Sequence, residues 1–560
     1  MGGLDLVIRN GLVIDGTGAE GFVADVGLTG GRIAEIGRIA PNGARSIDAE
    51  GHVVTPGFID GHTHMDAQMH WDPLGTNSVW HGVTTVVMGN CGFSIAPMRK
   101  GQQALVARNL ERAEDISGAA MEAGIDWRWE GYGEYLDVVD ALPKGINYSA
   151  YVGHSALRTW AMGERAFEEE ASADDLAAMQ AELTRALDAG AQGFSTSRSD
   201  SHETSDDRPV ASRLASRGEV EALVGTMSGR RGAVFELAPE TLAPGTPEGE
   251  SFYSWLRDLA VTSKVGTTFG VLGRFWKHQI GQIEQAAAGG GRMFGQTHCR
   301  GVTIITSFQT DLAFDKLPAW KDLRALPLAE QALRMRDSAT RAALVDAVEN
   351  AVYGRFIGAE ARPPVWDQYL YYDKPLPPWR SVAEIAAQRG VKPIEAVIDL
   401  ALETNLDAMF IQLMTGVSDE ETVACLRHPS SVMTFSDSGA HVGQIADSSI
   451  QSYLLAAFCR EKALLSLPEA VHMITGRAAH HWGFAGRGEI KVDNAADLNV
   501  IDPATVGPLM PRLAHDLPTG ARRLVQRSQG FRATIIGGEV LTDNGEHTGA
   551  LPGRLLRRRD

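Results

Sequence analysis

Cysteine is scarce in this chain. Its four residues, Cys91, Cys299, Cys425 and Cys459, are spread over 560 positions. They are too few and too scattered for a disulfide framework, so a reducing compartment fits best. Basic charge is also short: 52 Lys and Arg face 70 Asp and Glu, a formal net charge of −18. That balance argues against a nucleic-acid backbone or an anionic membrane surface as partner. No stretch approaches the roughly 18 uninterrupted apolar residues of a membrane span. The first residues lack the basic region and long apolar run of a secretory signal. The expectation is a cytoplasmic protein acting on a small molecule, with assembly into a homo-oligomer left open.

What is present is an ordinary globular balance, 44% hydrophobic and 22% charged, over a length that suffices for a large barrel and an accessory domain. The chain is organised around Pro56-Gly57-Phe58-Ile59-Asp60-Gly61-His62-Thr63-His64-Met65-Asp66. Phe58 and Ile59 read as the apolar start of a buried strand. Residues i and i+2 of a strand point the same way, so His62 and His64 can converge on one metal ion. An isolated His-x-His also arises by chance in loops; the apolar lead-in and the Pro-Gly start favour the metal.

Alternating strands and helix-prone segments follow, the pattern of a parallel sheet or barrel. With the first strand, the segments 84–88, 148–152, 192–196, 232–237, 266–272, 292–296 and 431–435 make eight. Eight such units predict an α/β protein built as a (β/α)8 TIM barrel over 57–485. Short strand-like segments at both ends, with Arg9-Asn10-Gly11 as a turn between 4–8 and 12–14 and Gly30-Gly31 and Gly537-Gly538 as hairpin turns, predict a composite β-sandwich from 1–56 and 486–560. An insertion at 301–407 is rich in Trp, Tyr and Pro; it reads either as a cap offering aromatics to an apolar substrate part or as a unit with its own small core.

Barrel active sites are built from the C-terminal ends of the strands. Cys91 falls at such an end, in Gly89-Asn90-Cys91-Gly92, as a ligand or as a small buried hydrophobe. Asp437 falls at another, in Phe435-Ser436-Asp437-Ser438, as a site carboxylate or as a turn or cap residue. His441 either meets substrate or lines the loop.

The His62/His64 segment resembles the first barrel strand of the amidohydrolase superfamily. The phrase Gly89-Asn90-Cys91-Gly92-Phe93-Ser94-Ile95-Ala96-Pro97 is similar to that of its N-acyl-D-amino-acid deacylase branch. The resemblance implies His62 and His64 on a metal, Cys91 as a zinc ligand, and Asp437 as a residue that both touches the metal and moves protons. It also implies histidines after strands five and six, where this chain has Glu236 and no ligand type at all. Glu236 is thus a candidate ligand, and one firmly held divalent ion, zinc or another metal, is expected, with a second left incomplete. The branch's substrate-binding lysine is missing too; Arg158, Arg198 and Arg274 stand as replacements. His154 and His298 are candidates to steady an oxyanion or contact substrate, beside the plain reading of polar loop residues. The implied activity is hydrolysis of a small-molecule amide, an N-acyl amine or N-acyl amino acid, by metal-activated water with Asp437 as general base and then acid. Cyclic amide or imide hydrolysis, deamination and an inactive scaffold are the alternatives.

Overall fold

The computed structural model describes residues 3–41 and 43–558. Its centre is a barrel of eight parallel strands: β1 (Phe58–Asp60), β2 (Val83–Met88), β3 (Asn147–Gly153), β4 (Gly193–Ser197), β5 (Val234–Ala238), β6 (Gly266–Gly270), β7 (Met293–Thr297) and β8 (Ser431–Met433). Each pairs with the next in chain order. Every residue of these strands is buried. That explains their near-continuous runs of Val, Ile, Phe, Thr and small residues, since helices cover one face and the barrel interior the other. The ladder stops at β8 and β1, and the seam is closed just beyond the strands. The Asp437 N–H donates to the His62 carbonyl at 3.2 Å and the His64 N–H to the Ser438 carbonyl at 2.7 Å. The Gly61 N–H donates to Thr434 Oγ1. Residues carrying the candidate chemistry therefore sit on the closure itself.

The helices follow local rules. The Ala173–Asp188 helix starts at a capping box in which Ser172 Oγ accepts from the Asp175 N–H. Asp174 and Asp175 lie in its first turn and Arg185 in its last, matching the helix dipole. Met179, Leu183, Ala186 and Leu187 form its buried stripe.

The two chain ends join in one nine-stranded sheet, in which Leu498–Ile501 from the tail pairs with Val53–Pro56 from the head. The two rows of strands form one continuous hydrogen-bonded path. It rolls up so that Val26 and Leu28 share a core with Ile535 and Val540. Two details differ from expectation. The turn foreseen at Arg9-Asn10-Gly11 is a bulge: Leu6–Val13 is a single strand whose register shifts between Ile8 and Gly11, with Asn10 at φ 61°. Arg45–Asp48 is an additional short strand beside it.

The insertion folds around a core of its own. Strands Thr303–Ser307, Tyr369–Tyr371 and Met409–Leu413 form an antiparallel sheet packed by helices. Trp320 and Tyr369 are fully buried in that core, with Trp366 and Tyr371 against it. These aromatics satisfy the insertion itself and line no part of the barrel mouth. No described helix is long and apolar enough to cross a membrane.

Candidate metal centre

The C-terminal ends of the strands surround a cavity of about 280 Å³. His62 and His64 leave β1 toward it, both almost fully buried. His62 Nδ1 pairs with Gln296 Oε1 on β7, which fixes the ring and turns Nε2 toward Asp437 Oδ1 at 3.1 Å and Cys91 Sγ at 3.4 Å. Such a partner on the far nitrogen is how ligand histidines are oriented. Asp60 supports the turn from below: it accepts from the His62 N–H, Thr434 Oγ1 and Gln451 Nε2. His64 Nε2 lies 3.6 Å from both Asp437 Oδ1 and Glu114 Oε2.

Cys91 sits on the turn that ends β2, in the left-handed region at φ 55°. Its N–H donates to Glu236 Oε2 at 2.6 Å, and Glu236 Oε1 lies 3.9 Å from His62 Nδ1. Gly92, at φ 77°, allows this turn: a Cβ there would stand 2.9 Å from the Ser197 nitrogen. Phe435, Asp437 and His441 are also left-handed. Such conformations cost about 1–3 kcal/mol each in a non-glycine residue and collect at functional sites.

The electrostatics point one way. Burial opposes ionisation of Asp437, yet the imidazoles of His62 and His64 beside it hold its carboxyl well below the usual range. Burial, then Asp437 and Glu236, push the Glu114 carboxyl well up. Burial, helped by Asp437 and opposed by His62, pushes Glu236 up to about 7. Burial and the surrounding carboxylates raise the Cys91 thiol far above normal. Burial lowers His202 to about 3 and His441 to about 4, so both imidazoles are neutral donors. Both ring nitrogens of His64, Oε1 of Glu114, Oε1 of Glu236 and Nδ1 of His441 are buried with no hydrogen-bond partner. Buried polar groups are normally satisfied, and all four of these residues line the one cavity. The donor set fits a divalent cation: His62, His64 and Cys91 bring donor atoms within 4.8 Å of one another, with Asp437 on the same side.

The structure thus gathers His62, His64, Cys91, Asp437, Glu236 and His441 at one cavity. The other candidates lie apart from it. His154 donates and accepts within a buried cluster: its ring reaches Thr196 Oγ1 and Glu219 Oε1, each at 2.8 Å. Arg158 completes that cluster on Glu219. Arg198 holds Glu240 at 2.6 Å and the Ala215 carbonyl. His298 lies 3.2 Å from Asp447, which Arg300 also grips. Each is committed to a neighbour, which is the plain structural reading of such residues.

Two residues at the cavity escape a reading of strand ends. Glu114 lies between the Gln103–Glu111 and Gly118–Gly124 helices, and His202 lies in the loop after β4. The signal available for His202 was a titratable side chain shortly after a strand's end; for Glu114 there was none.

Comparison with known proteins agrees with this geometry. The amidohydrolase family model matches residues 45–542. A D-aminoacylase from Alcaligenes xylosoxydans xylosoxydans is 27% identical, the match covering 99% of this chain and 98% of that one. An N-acyl-D-glutamate deacylase from the same organism is 28% identical over 99% and 97%. A solved D-aminoacylase structure, studied for its binuclear metal center, superposes with a TM-score of 0.65 at 26% identity, covering 99% of this chain and 100% of that one. The chain belongs to the amidohydrolase family, in its D-aminoacylase branch, and is a hydrolase of carbon–nitrogen bonds other than peptide bonds.

Proposed function

We propose that the protein hydrolyses an N-acyl amine or N-acyl amino acid with zinc, or another divalent metal, held by His62, His64, Cys91 and Asp437. The observation that carries this reading is the approach of the His62, His64 and Cys91 donor atoms to within 4.8 Å of one another, with the Asp437 carboxylate beside both histidines. A divalent cation there supplies Lewis acidity, lowering the pKa of water from 15.7 toward about 7 and polarising an amide carbonyl. The chain's own residues do the rest. Gln296 keeps the His62 ring aligned. Asp437, with its carboxyl held ionised, accepts the proton of the attacking water and delivers it to the departing nitrogen. Leu237, Leu242, Leu272 and Phe275 offer an apolar wall for the rest of the substrate and exclude water.

No Lys or Arg lines the cavity among the described residues, whereas Glu240 does. An uncharged leaving amine suits that lining better than an amino acid with a free carboxylate. The direct test is Asp437→Asn in the zinc-loaded enzyme, assayed on linear N-acyl amines, cyclic imides and aminated bases. The expected result is turnover of a linear amide that falls about 10²–10⁴-fold with the metal retained. Full turnover in the variant, or activity confined to the cyclic or aminated compounds, defeats the reading.

A further inference from the structure

We propose that the N-terminal end of the barrel strands, opposite the metal cavity, carries a binding groove for a small polyanion, a molecule bearing at least two phosphate or carboxylate groups. The groove has a volume of about 1180 Å³. Sites for drug-sized ligands occupy about 300–1,000 Å³, so such a molecule fits. Distant parts of the chain line it. Gln192, Ala233, Gly266 and Arg292 lie at the starts of β4 to β7, and the Gly476–Trp482 helix and the loop after it lie alongside. The end of the chain completes it. The Leu556 N–H donates to the Tyr148 carbonyl at 2.7 Å and the Arg558 N–H to the Gly190 carbonyl at 2.9 Å, which straps this segment across the strand starts.

The charge of the groove is the reverse of the chain's. The formal net charge is −18, yet nine Lys and Arg residues line the groove against one carboxylate, Glu489. Arg230, Arg487 and Arg557 have acidic partners outside it, in Asp188, Asp497 and Asp137. Arg231, Lys264, Arg292, Lys491 and Arg554 make no ion pair among the described residues. Two of these five are anchored by backbone carbonyls. Lys264 Nζ donates to Gly290 at 3.0 Å and Arg292 Nη1 to His481 at 3.0 Å. A Cβ at Gly266 would overlap Arg292 Nη2, so the bare glycine lets the guanidinium lie across the start of β6. Desolvation pulls the Arg292 guanidinium down, with Tyr151 opposing it. Arg558 Nη1 donates to the Arg231 carbonyl at 3.1 Å, which brings the cations of the tail beside those before β5.

This face of a (β/α)8 barrel ordinarily serves stability. Like charges without partners work against stability, and a cleft focuses their combined field. A bound polyanion relieves that repulsion. Guanidinium groups meet phosphate and carboxylate through paired hydrogen bonds, and cations from several segments suit a ligand with several anionic groups. None of these residues lines the metal cavity, so the groove stands or falls apart from the proposed hydrolysis.

Isothermal titration calorimetry of the zinc-loaded full chain tests the groove, with fructose 1,6-bisphosphate and tricarballylate as probes and fructose as the uncharged control. Saturable binding of at least one polyanion is expected, weakening as salt is raised, with none for fructose. Binding of the bisphosphate alone assigns phosphate as the group that is read, and binding of the tricarboxylate alone assigns carboxylate. Lys264→Gln/Arg292→Gln and Lys491→Gln/Arg554→Gln should each lower affinity by about tenfold or more, the worth of a single charge-assisted contact. Arg128→Gln, at an exposed site outside the groove, should not. No polyanion binding in the wild type, equal binding of fructose, or unchanged affinity in both double variants overturns the proposal. A wild-type oligomer that the groove variants dissociate, with no polyanion bound, makes the groove a protein contact and overturns it too. Lys491 and Arg554 are exposed, so their double variant decides alone should Lys264→Gln/Arg292→Gln not fold.

Discussion

Two buried clusters in this barrel mix histidine with carboxylate, and they are opposites. In one, Arg158 donates to both oxygens of Glu219, and His154 is held between Glu219 and Thr196. A guanidinium supplies the positive charge, and both imidazole nitrogens have partners. In the other, His62, His64, His202 and His441 surround Asp437, Glu114 and Glu236 with no arginine or lysine at the cavity among the described residues, and several donor atoms have no partner. The residue types are alike. What differs is whether the fold itself provides the compensating charge. A cluster that completes itself is architecture; one that leaves its positive charge to be brought from outside is a binding site.

The largest effect should come from breaking the complete cluster. Glu219→Ala strands a buried guanidinium, and loss of one partner of a buried pair costs about 3–5 kcal/mol. Denaturant titration should show that loss with or without zinc. His64→Gln should behave otherwise: metal-free protein loses little, because no hydrogen-bond partner of the His64 ring is stranded, while zinc-loaded protein loses much more. A loss of equal size in both states would erase the distinction.

Zinc itself should come next. A ligand that binds only the folded state adds about 2.7 kcal/mol at a hundred times its dissociation constant. The thermal midpoint should therefore rise with zinc in the wild type and much less in His62→Ala/His64→Ala, whereas Glu219 variants keep the full increment.

The smallest effect is the sign of the pH dependence. His154 and Arg158, outweighing burial, hold Glu219 at about 2, below its ordinary 4.5. That stabilisation is present above pH 4.5 and is lost as pH falls toward 2. Glu236, pushed up by burial to about 7 in metal-free protein, works in reverse. The folded state holds its proton where the unfolded chain has released it, so stability declines as pH rises from 4.5 to 7. Chemical denaturation of metal-free protein across both windows, with Glu219→Gln and Glu236→Gln as controls, should show two slopes of opposite sign. Zinc should remove the second slope and leave the first.

The barrel was legible because its strands are buried on both faces and so read as short β-branched runs ending at glycine or a polar residue. His62, His64, Cys91 and Asp437 were visible for the same reason: each follows directly from such a run. Arg9-Asn10-Gly11 misled because a bulge and a turn use the same residues. Glu114 carried no signal and His202 only that of a titratable side chain shortly after a strand's end, because loop residues have no periodicity, and only the folded chain shows that they meet Cys91. His154 and His298 looked equivalent to the cavity histidines in sequence; their partners Glu219 and Asp447 are remote along the chain and reveal their role only in space.

The barrel seam gives the site a second consequence. Gly61 and Thr434, whose hydrogen bond joins the first and last strands, are separated by 373 positions. Holding such distant segments together forfeits the chain entropy of a very long loop. A cation gripped by His62 and Asp437 would be a clasp across that join. Loading the enzyme and latching the cylinder would then be one event, and stripping the ion would loosen the stave on which the chemistry is mounted.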